Sequence, residues 1–243
     1  MSAFYPEESK KLDILSHLEE LRRRILFSLG FIVICSVLSF ANGEAIMRMA
    51  KAPIRGFSGG LIFIGPTEGF VSYLKLSLLA GFIAAFPFVV LQIWFFLAPA
   101  FKKAVRSRIR WWLLAAILLF FAGEFFSYTL ALPAALKFLL SFGERIAEPS
   151  ITIGKYVSFF CALMLVGGVV FELPVVMGLF AETGLVRSKT LREKRPYAYL
   201  GILAFAAIIT PTQDIMNMLI FSFPMFLLFE AGLIITSFIE RNK

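Results

Sequence analysis

FVSYLKLSLLAGFIAAFPFVVLQIWFFLA, residues 70–98, decides the fold class. Lys75 is its one charged residue, and as a helix rising 1.5 Å per residue it is longer than the roughly 30 Å hydrocarbon core of a bilayer. The run lacks the alternation of an outer-membrane strand, and open sheet edges cannot exist in lipid. Comparable runs occupy 25–41, 111–132, 156–180, 197–210 and 216–238. These predict an all-α integral membrane protein, a single domain over residues 1–243 with six transmembrane helices. Composition agrees, since only 16% of the residues are charged, against about 25% in soluble domains, too few to coat a globule.

Orientation follows from the cations. Lys10, Lys11, Arg22, Arg23 and Arg24 precede the first span; Lys102, Lys103, Arg106, Arg108 and Arg110 fill the second loop. Arg187, Lys189, Arg192, Lys194 and Arg195 fill the fourth, and Arg241 and Lys243 follow the last span. That is 17 of the 24 Lys and Arg residues on one side, so both termini are expected in the cytoplasm and the chain in the inner membrane. The net charge of +8 is therefore read as membrane orientation, with no nucleic-acid partner. Ile25 to Phe40 followed by ANGEA imitates a secretory leader, but Glu19 and Glu20 just ahead of it argue for a retained span. Cys35 and Cys161 lie in apolar runs without metal or redox spacing and read as small packed side chains.

Prolines predict bends. Pro133 should end the third span, Glu172-Leu-Pro174 should break the fourth, and Pro87 lies inside the second, so a curved bundle is expected. Spans five and six are joined by PTQD (211–214), and residues 197–210 rise only about 21 Å, short of the core.

No phosphate loop, dinucleotide fingerprint, His/Cys cluster or Ser-His-Asp set occurs, so neither an enzyme, a metal nor a cofactor is expected. Two regions carry candidate function. In HLEELRRRILF (17–27), Ile14, Leu18, Leu21 and Ile25 share one helical stripe, with Glu19 and Glu20 on opposite shoulders. Glu20 and Arg22 lie about 160° apart around the helix and cannot pair, whereas Glu19–Arg23 and Glu20–Arg24 have i,i+4 spacing. Ser16-x-x-Glu19 fits a capping box, which would start the helix there with His17 just inside it. The second region is intramembrane: Glu124, Glu172 and Glu230 are costly in hydrocarbon and default to functional hypotheses. Glu124 and Glu230 read equally as packing groups hydrogen-bonded to a neighbouring helix. Glu172 is favoured because Pro174 frees nearby carbonyls, and it is expected to face a polar, water-accessible concavity, with Lys75 or Gln92 as conceivable partners. A proton-coupled secondary transporter using the three glutamates is the alternative reading, although no paired repeat is evident.

The chain resembles the TatC family, the multispanning subunits of twin-arginine protein translocases. The likeness is carried in order by HLEELRRRI, KAPI (51–54, with Pro53), GPTEGFVSYLKLSL (65–78), QIWFFLAPA (92–100), FELPV (171–175), LREKRPY (191–197), ITPTQD (209–214) and LFEAGL (228–233). The resemblance implies a receptor that binds the twin-arginine signal peptides of folded proteins. It implies recruitment of small single-span TatA- and TatB-like subunits, driven by the proton-motive force, in a complex holding further copies of the chain. It assigns Glu20, Arg22, Glu19 and Phe96 to the signal peptide, and Glu172, Thr210, Asp214 and Asn217 to partner subunits. Three positions depart from the family pattern: Ala104 stands where an acidic loop residue is usual, Glu124 where an apolar or small residue is usual, and Met218 where a polar residue is usual, with Asn217 adjacent.

Overall fold

The computed structural model describes residues 6–54, 61–101, 109–143, 150–209 and 215–241. Helix α1 (Pro6–Ala41) runs unbroken through Ser16 and His17, so the expected helix start and capping box are not formed there. The Glu-, Lys-, Leu- and Arg-rich segment ahead of the span has high helix propensity and lengthens the first helix backwards. α2 (Gly43–Lys51) follows, and a 3₁₀ turn at Ala52–Ile54 ends it. Pro53 has no N–H for the Met49 carbonyl four residues back; Tyr128 Oη donates to that carbonyl at 2.9 Å. Tyr156 Oη donates to the next one, of Ala50, at 2.5 Å. Two tyrosines from distant spans thus complete the end of a helix that Pro53 terminates.

α3 (Glu68–Leu97) continues through Pro87. The third span does not end at Pro133. α4 (Ile109–Phe126) passes through a π turn at Ser127–Ala131 into α5 (Leu132–Gly143). The wider turn accommodates the proline ring and its missing donor, so the helix is re-registered and not stopped. The fourth span breaks as expected. α6 (Ile153–Phe171) and α7 (Leu173–Thr183) flank Glu172, with Pro174 in the first turn of α7, where its N–H would be unpaired anyway. Gly184 ends α7 at φ +81°, a left-handed cap that favours glycine. α8 (Ser188–Glu193), α9 (Arg195–Ile209) and α10 (Ile215–Arg241) complete the described chain. Among the described residues, five helical stretches are long and apolar enough to cross a membrane; the sixth apolar helix, in α9, is the shorter one that residues 197–210 predicted.

The all-α expectation missed one detail: β1 (Leu61–Ile62) pairs in parallel with β2 (Ile151–Thr152) between the loops before α3 and α6. The Glu68 carboxylate joins the same loops, accepting from Ile64 N and Gly154 N at 2.9 Å each.

Small residues set the helix spacing, as expected where lipid supplies no hydrophobic drive between helices. Ser36 of α1 packs on Gly81 of α3, and Gly167 and Gly168 of α6 lie against Gly123, Phe120, Glu124 and Ser127 of the third span. Met47, Ala50, Leu76, Leu132 and Val157 belong to one buried cluster, while Val170, Ile202, Met225, Phe229 and Leu233 form another. Removing the Tyr156 hydroxyl leaves the buried Ala50 carbonyl without that donor. Tyr156→Phe should therefore cost about 1–3 kcal/mol, read as a lower unfolding midpoint in detergent; an unchanged midpoint would show that another donor replaces it.

Candidate functional site

The two candidate regions meet on α3. Gln92, Phe95 and Phe96 lie at i, i+3 and i+4 and meet α1: Arg24 Nη1 donates to Gln92 Oε1 at 3.3 Å, and the His17 ring stacks on Phe96 at 4.4 Å between centroids. The Arg24 guanidinium also lies 5.4 Å from the centre of the Phe95 ring. Val90, Ile93, Trp94 and Leu97 point the other way, into a cavity shared with Glu172.

Toward α1, Glu20 is the centre. Arg24 Nε donates to Glu20 Oε1 at 2.9 Å and Arg24 Nη2 donates to the same oxygen, the expected i,i+4 pair. Glu20 Oε2 sits 3.8 Å from His17 Nδ1, beyond hydrogen-bonding distance. Glu20 is about one-third exposed and Arg24 one-quarter, so the pair faces outward from a partly covered position. The structure thus brings Glu20, His17 and Phe96 together. It does not bring Arg22 to Glu20: Arg22 lies with Glu19, Arg23, Leu26 and Phe27 along a separate open groove, where Arg23 stands over the Phe27 ring at 5.5 Å. Sequence reasoning foresaw the Glu20–Arg24 pair from its i,i+4 spacing, and missed Gln92 and Phe95 as the platform that holds Arg24.

The cavity of about 370 Å³ lies among α3, α4 and α7. The concavity expected beside Glu172 exists, but its walls are not polar. Phe86, Trp94, Phe101, Trp112 and aliphatic side chains line it, with Glu172 and Thr183 among few polar groups. Breaking the helix at Glu172 turns this side chain toward the aromatic end of α3. Lys75 and Gln92 are not its partners, because Lys75 Nζ donates to Ser158 Oγ at 2.7 Å and Gln92 accepts from Arg24. Glu172 Oε1 and Trp94 Nε1, an acceptor and a donor on one apolar cavity, are buried without a hydrogen-bond partner among the described residues.

The other intramembrane glutamates differ. Glu230 accepts from Arg195 Nη2 and from Tyr199 Oη, each at 2.5 Å, and is the hydrogen-bonded packing group that one reading foresaw. Glu124 is buried, with neither carboxylate oxygen partnered among the described residues, beside Gly168 and Phe120. Thr210, Asp214 and Ala104 lie outside the described residues, and Asn217 falls on α10. Among the described residues no group of three His, Cys, Asp or Glu side chains could hold a metal.

Residues 16–224 match the family of Sec-independent protein translocase protein (TatC). The Sec-independent protein translocase protein TatC of Carboxydothermus hydrogenoformans is 36% identical over 236 residues, 97% of each chain. That of Koribacter versatilis is 37% identical over 229 residues, 92% of this chain and 84% of its own. A crystal structure of the twin arginine translocase receptor TatC superposes with a TM-score of 0.80 at 33% identity, over 92% of this chain and 99% of that one. With a family match across most of its length, relatives aligned nearly end to end and the same fold, this multispanning chain belongs to the TatC family of protein translocase subunits.

Proposed function

We propose that this chain is the receptor and core subunit of a twin-arginine translocase. It binds the twin-arginine signal peptides of folded proteins at Glu20 and presents Glu172 to a small single-span subunit of TatA or TatB type. Export is driven by the proton-motive force, and the working complex contains further copies of the chain. The observation that carries the reading is the Glu20 carboxylate: Arg24 uses Oε1, while among the described residues Oε2 has only His17 at 3.8 Å. A carboxylate offers about four lone-pair sites, and a guanidinium is the donor best matched to them. The second guanidinium of the pair fits Glu19, one residue away on the other shoulder of α1 and already in a groove with Arg22. Phe96, under the His17 ring, offers apolar contact to the residues that follow the arginines in a signal peptide. Nothing in the family assignment supports the proton-coupled transporter reading.

Photocrosslinkers placed at Glu20 and at Phe96 should both capture a twin-arginine precursor in native membranes. Capture at neither would move the site elsewhere. The accompanying orientation, both termini in the cytoplasm of an inner-membrane protein, rests on the 17 cations of the even-numbered loops and ends. A reporter active only in the periplasm, fused at residue 243, should stay silent; activity there would invert the topology.

A further inference from the structure

Away from both regions, three arginines converge where α8, α9 and α10 meet. Arg192, Arg195 and Arg241 line a cavity of about 250 Å³ with Glu230, Leu233, Ile234, Ser237 and Phe238. Glu230 is the one carboxylate in that lining, and both its oxygens are engaged, by Arg195 Nη2 and Tyr199 Oη. Arg192 Nη2 donates to Ser237 Oγ at 3.0 Å, which leaves its other donors to the cavity. Arg195 Nε is buried without a partner among the described residues. The Glu240 carboxylate is turned to Ser188, accepting from its N at 2.8 Å and from its Oγ, and is not in the lining. The cavity therefore holds an excess of two positive charges and unmet N–H donors, the requirements for an oxyanion.

Its position narrows the anion. Arg195 opens the short apolar helix α9 and Arg241 closes the last span, so the arginines stand at the boundary between apolar helix and polar loop. From the cavity wall, Ile234 and Phe238 continue along α10 to Leu227 and Phe223. Each is more than half exposed, and their spacings of four, seven and four residues make one helical stripe. A charged pocket at the headgroup level with an apolar stripe running from it into the hydrocarbon matches one amphiphile. We propose that this pocket binds the phosphate of an anionic phospholipid, with an acyl chain lying along Phe238, Ile234, Leu227 and Phe223. The leaflet is the one that faces the termini of the chain.

The test uses the purified full-length chain in detergent and titrates phosphatidylglycerol, phosphatidylcholine and inorganic phosphate separately, following lipid binding by native mass spectrometry. Phosphatidylglycerol should bind at least tenfold more tightly than phosphatidylcholine, and millimolar phosphate should not displace it. Arg192→Gln with Arg241→Gln should weaken phosphatidylglycerol about ten- to thirtyfold, since each basic residue near an anionic surface counts for roughly a factor of five. Arg195 is left in place because its loss would strand Glu230. Lys189→Gln with Lys194→Gln, which removes as much charge from exposed positions outside the lining, should change binding little. Equal affinity for the two lipids, or equal losses in the two double variants, would overturn the site. Displacement by phosphate alone would overturn the lipid assignment in favour of a free anion.

Discussion

A Glu20→Ala variant is expected to bind a twin-arginine signal peptide about tenfold more weakly while remaining folded. Hydrogen bonds between charged groups contribute about 1.5–3 kcal/mol, which spans roughly ten- to hundredfold in affinity. Glu20 is one-third exposed, and water screens such a pair, so the lower end applies. Arg24 sharpens the expectation. It already occupies Oε1 of Glu20, so an arriving guanidinium either adds at Oε2 or displaces Arg24 toward Gln92 and Phe95, which can still hold it. Glu20→Gln should behave much like the alanine variant, because an amide keeps the shape and loses the charge. A twin-lysine peptide should bind the unaltered chain weakly, since an ammonium cannot make the planar two-point contact. Ala104 is the second lever. Installing Ala104→Glu should tighten the twin-arginine peptide if the loop merely lacks a family carboxylate. Peptide affinity unchanged in both Glu20 variants would remove this carboxylate from the receptor site.

Most of the span pattern was legible because lipid leaves a chain few options: long apolar runs must be helices, and Lys and Arg mark the loops of one side. The third span shows where that reasoning stops. Pro133 was read as a stop signal, but a π turn absorbs it, and whether a helix widens or ends depends on what packs around it. Helix α1 shows the same limit in reverse, because Ser16 and Glu19 have the capping pattern but lie inside a helix that begins at Pro6. Pairing was less legible than position. Glu20–Arg24 was visible from spacing within one helix. Arg24–Gln92, Lys75–Ser158 and Glu230–Arg195 join residues 68, 83 and 35 positions apart, and no local pattern announces them. Glu172 was singled out correctly as a group facing a cavity, but the polarity of that cavity was misjudged, since the aromatic residues that line it come from α3 and α4.

Glu172→Ala should leave signal-peptide affinity unchanged and lower the affinity for a single-span partner roughly ten- to twentyfold, with a matching loss of transport of a folded cargo. Among the described residues, Glu172 Oε1 and Trp94 Nε1 lack partners in a cavity whose other walls offer mainly hydrocarbon and aromatic surface. A lone polar group on a partner's span could meet both. Interhelical hydrogen bonds in membranes average about 0.6 kcal/mol and reach about 1.7. A bond that satisfies two buried groups on a mainly apolar cavity belongs at the upper end, which corresponds to the stated factor. The apolar walls matter as much as the carboxylate: Trp112, held against Gly178 of α7, and Phe86, stacked on Phe120, give the cavity a fixed shape that the alanine variant retains. Glu172→Gln separates the two ways the residue could act. An amide can still accept and donate, so it should restore partner binding if a hydrogen bond is what counts, and should fail if negative charge is required. The measurement pairs crosslinking of a single-span partner to the Trp94 side of the cavity with transport of a folded twin-arginine cargo. Full transport together with undiminished crosslinking in Glu172→Ala would sink the assignment and leave Glu172 as a packing residue at a broken helix.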